Sequence, residues 1–159
     1  MRAIGVIRSP HRTASGTPIQ PVYGEQVEGE VLIHEEFELA LADIEGFERI
    51  WLIYFFDRAG DFKSRVIPYR DTREHGLFAT RAPCRPNPVG MSVVRLVGRE
   101  RNVLRVSGVD VLDGTPLLDI KPYVPEFDAH PESKAGWFDE SREDRREADD
   151  RFHEPGGSA

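Results

Sequence analysis

Two arginines lie in a proline-rich stretch that is the most distinctive chemical feature of the sequence. Residues 76–90 read GLFATRAPCRPNPVG and hold Arg81 and Arg85 among three prolines. Because proline fixes its own φ angle and favours an extended conformation in the residue before it, this proline loop is predicted to be stiff and non-helical. A guanidinium group on a stiff loop loses little entropy when it binds a planar or anionic ligand. We therefore predict a binding loop between two strands.

A second segment, residues 110–123, sets three carboxylates and a lysine among apolar side chains. Asp110, Asp113 and Asp119 are each chemically able to accept a proton, and the sequence does not choose among them. A reaction that relies on positioning alone, without a dedicated base, is equally compatible with the pattern. An ion pair between Asp119 and Lys121 at the end of a strand is the structural alternative.

Metal and thiol chemistry have little support in the sequence. The five histidines are scattered without the spacing of a metal-ligand set, and no metal site is predicted. Cys84 is the single cysteine, which excludes an intrachain disulfide and agrees with a reducing compartment. No partner base for a nucleophilic thiol is identifiable, so Cys84 is interpreted as a small loop residue.

The net charge of -7 conceals an uneven distribution along the chain. Residues 58–105 contain eleven basic and four acidic side chains, a local charge of +7. Because a phosphate group responds to charges within a Debye length of about 8 Å, an acidic total does not exclude an RNA partner. The alternative is that these arginines face water separately on alternate strand positions.

The chain length of 159 residues suits one domain with its own core. No apolar run reaches transmembrane length, and the first residues lack the apolar core of a signal peptide. We therefore predict a soluble, cytoplasmic protein with no membrane partner.

Short β-branched and aromatic runs, separated by turn signals, predict an all-β barrel or sandwich. A hairpin turn is predicted at 99–102, and one short helix is predicted at about 36–41. Strands alternating with long helices are not indicated, which argues against a doubly wound parallel sheet. The predicted strands cover residues 3–7, 29–34, 50–56, 66–67, 77–80, 91–97, 103–106 and 109–112.

The sequence changes character near its C-terminal end. Residues 1–126 are predicted to form the barrel domain, and residues 127–159 a charged extension. Within the extension, residues 139–153 are interpreted as either a solvated helix supported by Glu/Arg pairs or a disordered segment, and residues 155–159 as a flexible end. Trp137 and Phe138 are expected to anchor the start of the extension to the barrel.

Four segments together resemble the TsaA-like family, also called TrmO. They read IGVIRSP, DIEGFERIWLIYFF, GLFATRAPCRPNPVGMSVVRL and GVDVLDGTPLLDIKPYVP, and the resemblance runs from about residue 4 to residue 125. Members of that family are S-adenosylmethionine-dependent methyltransferases that act on N6 of threonylcarbamoyladenosine beside the tRNA anticodon. The resemblance implies a single-sheeted antiparallel β-barrel with short helical excursions, S-adenosyl-L-methionine as cofactor, and a homodimer with the cofactor near its interface.

The resemblance also implies roles for individual residues. Separately from the resemblance, the chemistry of the side chains leads us to expect catalytic roles for Asp113, Arg81 and Lys121, and contacts with tRNA for Arg85 and Asn87. Asp57 and Arg58 stand where many members carry a His-Gln pair. The residues expected to contact the cofactor are Pro18, Ile19, Gln20, Asp57, Arg58, Arg81, Met91, Leu112, Asp113, Gly114 and Thr115.

Two alternative functions remain open at the level of sequence. One is a methyltransferase that uses the same cofactor on another RNA base or on a small molecule. The other is a non-catalytic module that binds RNA through the basic middle of the chain or senses the cofactor.

Overall fold

The computed structural model describes residues 1–153 of the chain. Regular structure in this part of the chain consists mainly of strands, with two one-turn α-helices and several 3-10 turns. The strands are β1 (Gly5–Arg8), β2 (Glu28–Ile33), β3 (Arg49–Phe55), β4 (Arg65–Val66), β5 (His75–Gly76), β6 (Val89–Glu100), β7 (Val103–Ser107) and β8 (Thr115–Pro122). The α-helices are α1 (Pro125–Asp128) and α2 (Trp137–Glu140), and the 3-10 turns are Pro21–Tyr23, Glu35–Leu41, Ile44–Gly46, Leu77–Ala79 and Asp150–Phe152.

Six of the strands form a closed antiparallel barrel in the order β1-β2-β7-β6-β3-β8. β1 pairs with β2 on one side and with β8 on the other, which closes the sheet. The predicted single-sheeted barrel is therefore confirmed. The short β4 and β5 form a separate two-stranded sheet.

The barrel interior is filled by alternate side chains of its strands. In β3 every second residue, Ile50, Leu52 and Tyr54, is buried. Ile7 and Leu104 are fully buried and belong to the same apolar cluster. Period-two alternation of this kind is what a sheet with one face on the core requires, and small barrels are packed rather than hollow.

Gly90 in β6 allows a close approach of two aromatic rings. A Cβ atom at Gly90 would lie 2.2 Å from Cε2 of Tyr54 and 2.7 Å from the ring of Phe56. The two rings meet edge to face with their centroids 5.2 Å apart. A side chain at position 90 is therefore excluded unless the aromatic pair moves.

The strand directions bring functional segments to one end of the barrel. β1, β3 and β7 end there, whereas β2, β6 and β8 begin there. The segments that follow β1, β3 and β7 and the segment that precedes β6 therefore converge at this end.

Most predicted strands are confirmed, and two are wrong. Residues 77–79 form a 3-10 turn, and residues 109–112 are irregular although Val109 and Val111 are buried. Two side chains supply the hydrogen bonds that a strand partner would otherwise make: Ser9 Oγ donates to Val111 O at 2.6 Å, and the ring of His11 lies 3.1 Å from Val109 O.

β8 was not predicted as a strand, because Pro116 and Pro122 interrupt its sequence. The hairpin turn at 99–102 is confirmed, with Arg101 at a positive φ of 54° between β6 and β7. The short helix is confirmed as a 3-10 segment, Glu35–Leu41. The proline loop lies between β5 and β6, as predicted.

The predicted solvated helix at 139–153 is not formed. α2 ends at Glu140, and residues 141–149 contain neither helix nor a named strand. Trp137 does anchor this region, because its Nε1 donates to Ala79 O at 2.8 Å and its ring stacks on His75. The predicted flexible end at 155–159 lies outside the described residues.

We expect Gly90→Ala to lower the free energy of unfolding by about 1–3 kcal/mol, because the new methyl group would overlap the ring of Tyr54. Chemical denaturation followed by tryptophan fluorescence measures the change. Gly76→Ala is the matched control, since a Cβ atom there meets nothing within 4 Å. Equal stability of the two variants would contradict the prediction.

Candidate functional site

A cavity of about 300 Å³ lies at the end of the barrel where the segments converge. Its floor includes Tyr54 of β3, Phe56, which directly follows β3, and Gly90 of β6. Its walls come from segments distant in the chain, namely residues 14–20, 57–59, 80–85 and 110–112. A volume and a mixed lining of this kind are typical of a small-molecule site.

Most of the residues that the family resemblance assigns to the cofactor line this one cavity. Asp113 and Gly114 are the two exceptions. The residues that the structure does bring together are Pro18, Ile19, Gln20, Asp57, Arg58, Arg81, Met91, Leu112 and Thr115.

Two arginines present guanidinium groups at the cavity. Arg81 Nη1 donates to Gln20 Oε1 at 2.5 Å, which connects the proline loop to the loop after β1. Arg58 Nη2 donates to Thr115 Oγ1 at 3.1 Å. Both side chains therefore stand in the cavity wall with positions fixed by hydrogen bonds, and both retain donors for an anionic group.

Asp113 is turned away from the cavity and organises the neighbouring backbone. Its Oδ1 accepts a hydrogen bond from Ser9 N at 3.1 Å, and its Oδ2 lies 2.6 Å from Nη1 of Arg12. Arg8 is a further cation, at 3.9 Å. The carboxylate expected to act in catalysis is thus occupied in holding the segment after β1 against the segment before β8.

Lys121 also lies away from the cavity lining. Its Nζ forms an ion pair with Asp119 Oδ2 at 2.9 Å, and both side chains are largely exposed. The structural alternative for these two residues, a strand-end ion pair, is the arrangement observed. The catalytic role expected for Lys121 stays a prediction, for a side chain that lies outside the cavity lining.

Arg85 and Asn87, expected to contact tRNA, occupy different surroundings. Arg85 Nη1 donates to the carbonyl oxygens of Thr80 and Ala82 at 3.0 and 3.2 Å, so this guanidinium stabilises the bend of the proline loop. Its guanidinium carbon lies 5.5 Å from the ring centroid of Phe78, and its side chain borders the cavity. Asn87 is exposed and is not part of the cavity lining.

Of the three aspartates considered as proton acceptors, Asp110 is the one that lines the cavity. Ser92 Oγ donates to Asp110 Oδ1 at 2.6 Å, and Tyr54 Oη lies 2.9 Å from the same Ser92 oxygen. Because Ser92 has a single hydroxyl proton, the order of donation is Tyr54 to Ser92 to Asp110. Burial raises the pKa of Asp110 to about 7, and it raises the pKa of Tyr54 well above 10.0.

Several lining residues carried no signal in the sequence. Ala148 and His153 come from the charged extension, to which no chemistry was assigned, and Tyr69 lies between β4 and β5. Asp110 was one of three indistinguishable aspartates. Only proximity in the folded chain identifies these residues.

An open groove of about 1000 Å³ adjoins the cavity. Ile19, Gln20, Arg81 and Met91 line both. The groove is rich in aromatic side chains and also contains Arg49 and Arg70. Its aromatic lining residues are Tyr23, Trp51, Tyr69, Phe78, Tyr123, Trp137, Phe138 and Phe152.

The basic middle of the chain is partly neutralised by ion pairs. Arg65 pairs with Glu74 at 3.1 Å, and Arg99 pairs with Glu45 at the same distance. The positive charge of residues 58–105 is therefore partly cancelled by neighbouring carboxylates. The arginines of this stretch that line the cavity and the groove are the ones placed to contact a ligand.

Residues 1–153 contain neither a membrane-spanning helix nor a metal-ligand cluster. None of the helices there has the length and apolar character that a membrane crossing needs. The same part of the chain holds no group of three or more His, Cys, Asp or Glu side chains arranged to bind a metal ion. Cys84 is fully buried in a second apolar cluster with Leu77 and Phe152.

A closed antiparallel barrel with a ligand-sized cavity formed by loops at one end defines a ligand-binding β-barrel protein. Residues 6–129 match the family model for the tRNA-methyltransferase O N-terminal domain, TrmO_N. This match covers more than half of the chain, and the chain belongs to that family.

Related proteins and solved structures agree with this assignment. A Pyrococcus abyssi protein named a probable S-adenosyl-L-methionine-binding protein is 52% identical over 141 residues, which is 88% of this chain and 76% of the relative. The tRNA (adenine(37)-N6)-methyltransferase of Escherichia coli is 35% identical over 144 residues, 84% of this chain and 61% of the relative. A crystal structure of TrmO from Pseudomonas aeruginosa superposes with a TM-score of 0.71 at 40% identity, covering 84% of this chain and 60% of the other. The chain thus spans about 60% of the length of that solved TrmO chain.

The raised pKa of Asp110 makes stability depend on pH. In the unfolded chain this carboxyl loses its proton near its ordinary pKa of 3.8, whereas the folded protein retains it up to about pH 7. Stability therefore falls as pH rises through this window. We expect Asp110→Asn, which cannot ionise, to gain about 1–3 kcal/mol relative to the wild type between about pH 5 and pH 8.

Thermal unfolding of both proteins across this pH range measures the effect. Asp61→Asn is the control, because Asp61 is exposed and does not line the cavity. Parallel pH profiles for wild type and Asp110→Asn would contradict the prediction.

Proposed function

We propose that this protein is an S-adenosyl-L-methionine-dependent methyltransferase that methylates N6 of threonylcarbamoyladenosine beside the tRNA anticodon. The observation that carries the proposal is the convergence, in one cavity, of nine residues that the family resemblance assigns to the cofactor. Membership of the TrmO_N family and the names of the relatives support the same activity.

The cavity suits the chemistry of the proposed cofactor. Tyr54, Phe56 and Met91 provide aromatic and polarisable surface for a planar base. Arg58 and Arg81 provide cations for an amino-acid carboxylate. We assign cofactor binding to these arginines together with the cavity-lining residues of the loop after β1 and the segment before β8.

The cofactor, when bound, supplies a methyl group on a sulfonium sulfur. The acceptor nitrogen is urea-like and poorly nucleophilic, so alignment and exclusion of water are the main contributions of the cavity. The proline loop, stiffened by Arg85, fixes one wall. As the acceptor nitrogen gains its methyl group, its proton has to leave.

We assign the proton acceptor to Asp110 in place of Asp113. Asp110 lines the cavity, and a pKa of about 7 suits a general base at neutral pH. Its position is fixed by Ser92, which Tyr54 supports in turn. The proton passes to the Asp110 carboxylate and from there to solvent, which balances the transfer.

The groove beside the cavity is the proposed site of the RNA substrate. Aromatic faces and arginines are the groups with which proteins hold unstacked bases and phosphates. Phe78 is 79% exposed and stacks with Arg85, so it presents a free ring face at the groove. Roles for Arg85 and Asn87 in holding tRNA, a homodimer, and action in the cytoplasm are parts of this proposal.

We expect Arg81→Ala to weaken binding of S-adenosyl-L-methionine by about 10-fold or more, because a charge-assisted hydrogen bond to the ligand is lost. Titration calorimetry measures the dissociation constant. Arg95→Ala is the control, since Arg95 is exposed on the barrel and does not line the cavity. Undiminished binding after Arg81→Ala would remove this residue from the site.

Methyl transfer from labelled cofactor to purified tRNA tests the activity itself. We expect label in tRNA that carries threonylcarbamoyladenosine and none in the same tRNA without this modification. Labelling of both tRNAs would indicate another base as the acceptor. Binding of cofactor and tRNA without any transfer would instead identify a non-catalytic module.

Asp110→Asn is expected to slow transfer by about 100-fold or more at neutral pH, because the general base is lost. The wild-type rate should rise as pH increases through about 7, where Asp110 loses its proton, and then level off. The variant should lack this rise. Single-turnover rates measured from about pH 5.5 to 8.5 give both profiles, and a wild-type rate independent of pH would exclude Asp110 as the base.

A further inference from the structure

The C-terminal strap, defined as residues 141–153, crosses the loop that follows β1. Gly16 N donates to Ala148 O at 3.0 Å, and Ala148 N donates to Thr17 O at 2.7 Å. Ile19 N donates to Arg146 O at 2.9 Å. The strap thus pairs with the loop that contains three of the expected cofactor residues.

The far end of the strap is attached to a second segment at the cavity, the one that follows β3. Gly60 N donates to Phe152 O at 3.0 Å, and His153 forms an isolated β-bridge with Ala59. The side chain of Phe152 is 5% exposed and packs edge to face on Tyr69. The strap is therefore held at two segments that line the cavity, the loop after β1 and the segment after β3.

Asp149 forms two ion pairs within the strap. Asp149 accepts hydrogen bonds from Arg145 at 2.5 Å and from Arg151 at 2.7 Å. The hydrogen bonds from Arg151 and Arg145 hold the pKa of Asp149 well below its usual range. These arginines are consequently committed to shaping the strap, and the side chains that it directs at the cavity are those of Ala148 and His153.

His153 lines the cavity, and one of its ring nitrogens has no partner within residues 1–153. Its Nδ1 is buried and makes no hydrogen bond to any residue in the described part of the chain. Burial lowers the pKa of His153; Asp150 opposes this shift and Arg58 adds to it, and the net lowering favours the neutral ring. Leaving a buried nitrogen unpaired is unfavourable, and a ligand atom within hydrogen-bond reach would remove that penalty.

We propose that the C-terminal strap is a wall of the cofactor cavity, and that His153 Nδ1 forms a hydrogen bond with a polar group of the bound cofactor. The inference rests on the proposed function for the identity of the ligand. It assigns a binding role to a segment outside residues 6–129, the part of the chain that matches the family model.

Calorimetry with S-adenosylhomocysteine, the product form of the cofactor, tests the contact without any turnover. We expect His153→Ala to weaken binding by about 3- to 10-fold, the range for one net hydrogen bond. His153→Asn, whose amide can replace Nδ1, should recover part of the affinity. His130→Ala is the control, because His130 is exposed in the same extension and does not line the cavity.

Limited digestion with trypsin tests the wall itself. Arg145 and Arg146 are exposed cleavage sites within the strap, and Lys134 is an exposed site before it. We expect S-adenosylhomocysteine to slow cleavage in the strap by several-fold while cleavage at Lys134 continues. Equal slowing at all sites, or none in the strap, would overturn its assignment as a wall.

The outcomes separate this inference from the proposed function. Unchanged affinity of His153→Ala with normal binding by the wild type would overturn the contact of His153 and leave the methyltransferase proposal in place. Equal losses in His153→Ala and His153→Asn would show that Nδ1 makes no bond to the ligand. Failure of the wild type to bind would overturn both.

Discussion

Pairing of β1 with β8 closes the barrel, and the position of the cavity depends on that closure. Ile7 opposite Thr115 is the last pair before the two strands separate into the segments that carry the site. Asp113 strengthens this junction, because its carboxylate holds Ser9 N and Arg12 beyond the end of β1. Asp113, which was expected to act in catalysis, therefore helps to join the first and last strands of the barrel.

One polar chain crosses the otherwise apolar end of the barrel. Tyr54, Ser92 and Asp110 are linked by short hydrogen bonds, and the absence of a side chain at Gly90 gives the Tyr54 ring its place. Burial of a carboxyl group in such surroundings costs stability when the group is charged. The same cost raises the pKa of Asp110 toward neutrality, so a destabilising feature of the fold supplies the property that a general base needs.

The strap shows how a segment with an uninformative sequence becomes part of a site. Its alternating charges indicated a solvated helix or disorder, yet its backbone pairs with residues 16–19 and its Phe152 is buried. Sequence periodicity does not predict this pairing, because the pairing consists of isolated backbone hydrogen bonds in an irregular segment. The predicted strand at 109–112 failed for a related reason, since Ser9 and His11 satisfy its carbonyl groups from a distant segment.

The sequence by itself determined the barrel, the stiff proline loop and nine residues of the cavity lining. Alternating apolar residues and proline restrictions act locally. The four family motifs contain Arg81, Met91, Leu112 and Thr115, four of the nine lining residues that the resemblance assigned to the cofactor. Only the tertiary structure decided that Asp110, among the three candidate aspartates, lines the cavity. It also decided that Lys121 lies outside the lining and that His153 belongs to it. These choices depend on strand register and on contacts between residues up to about a hundred positions apart, which local patterns do not encode.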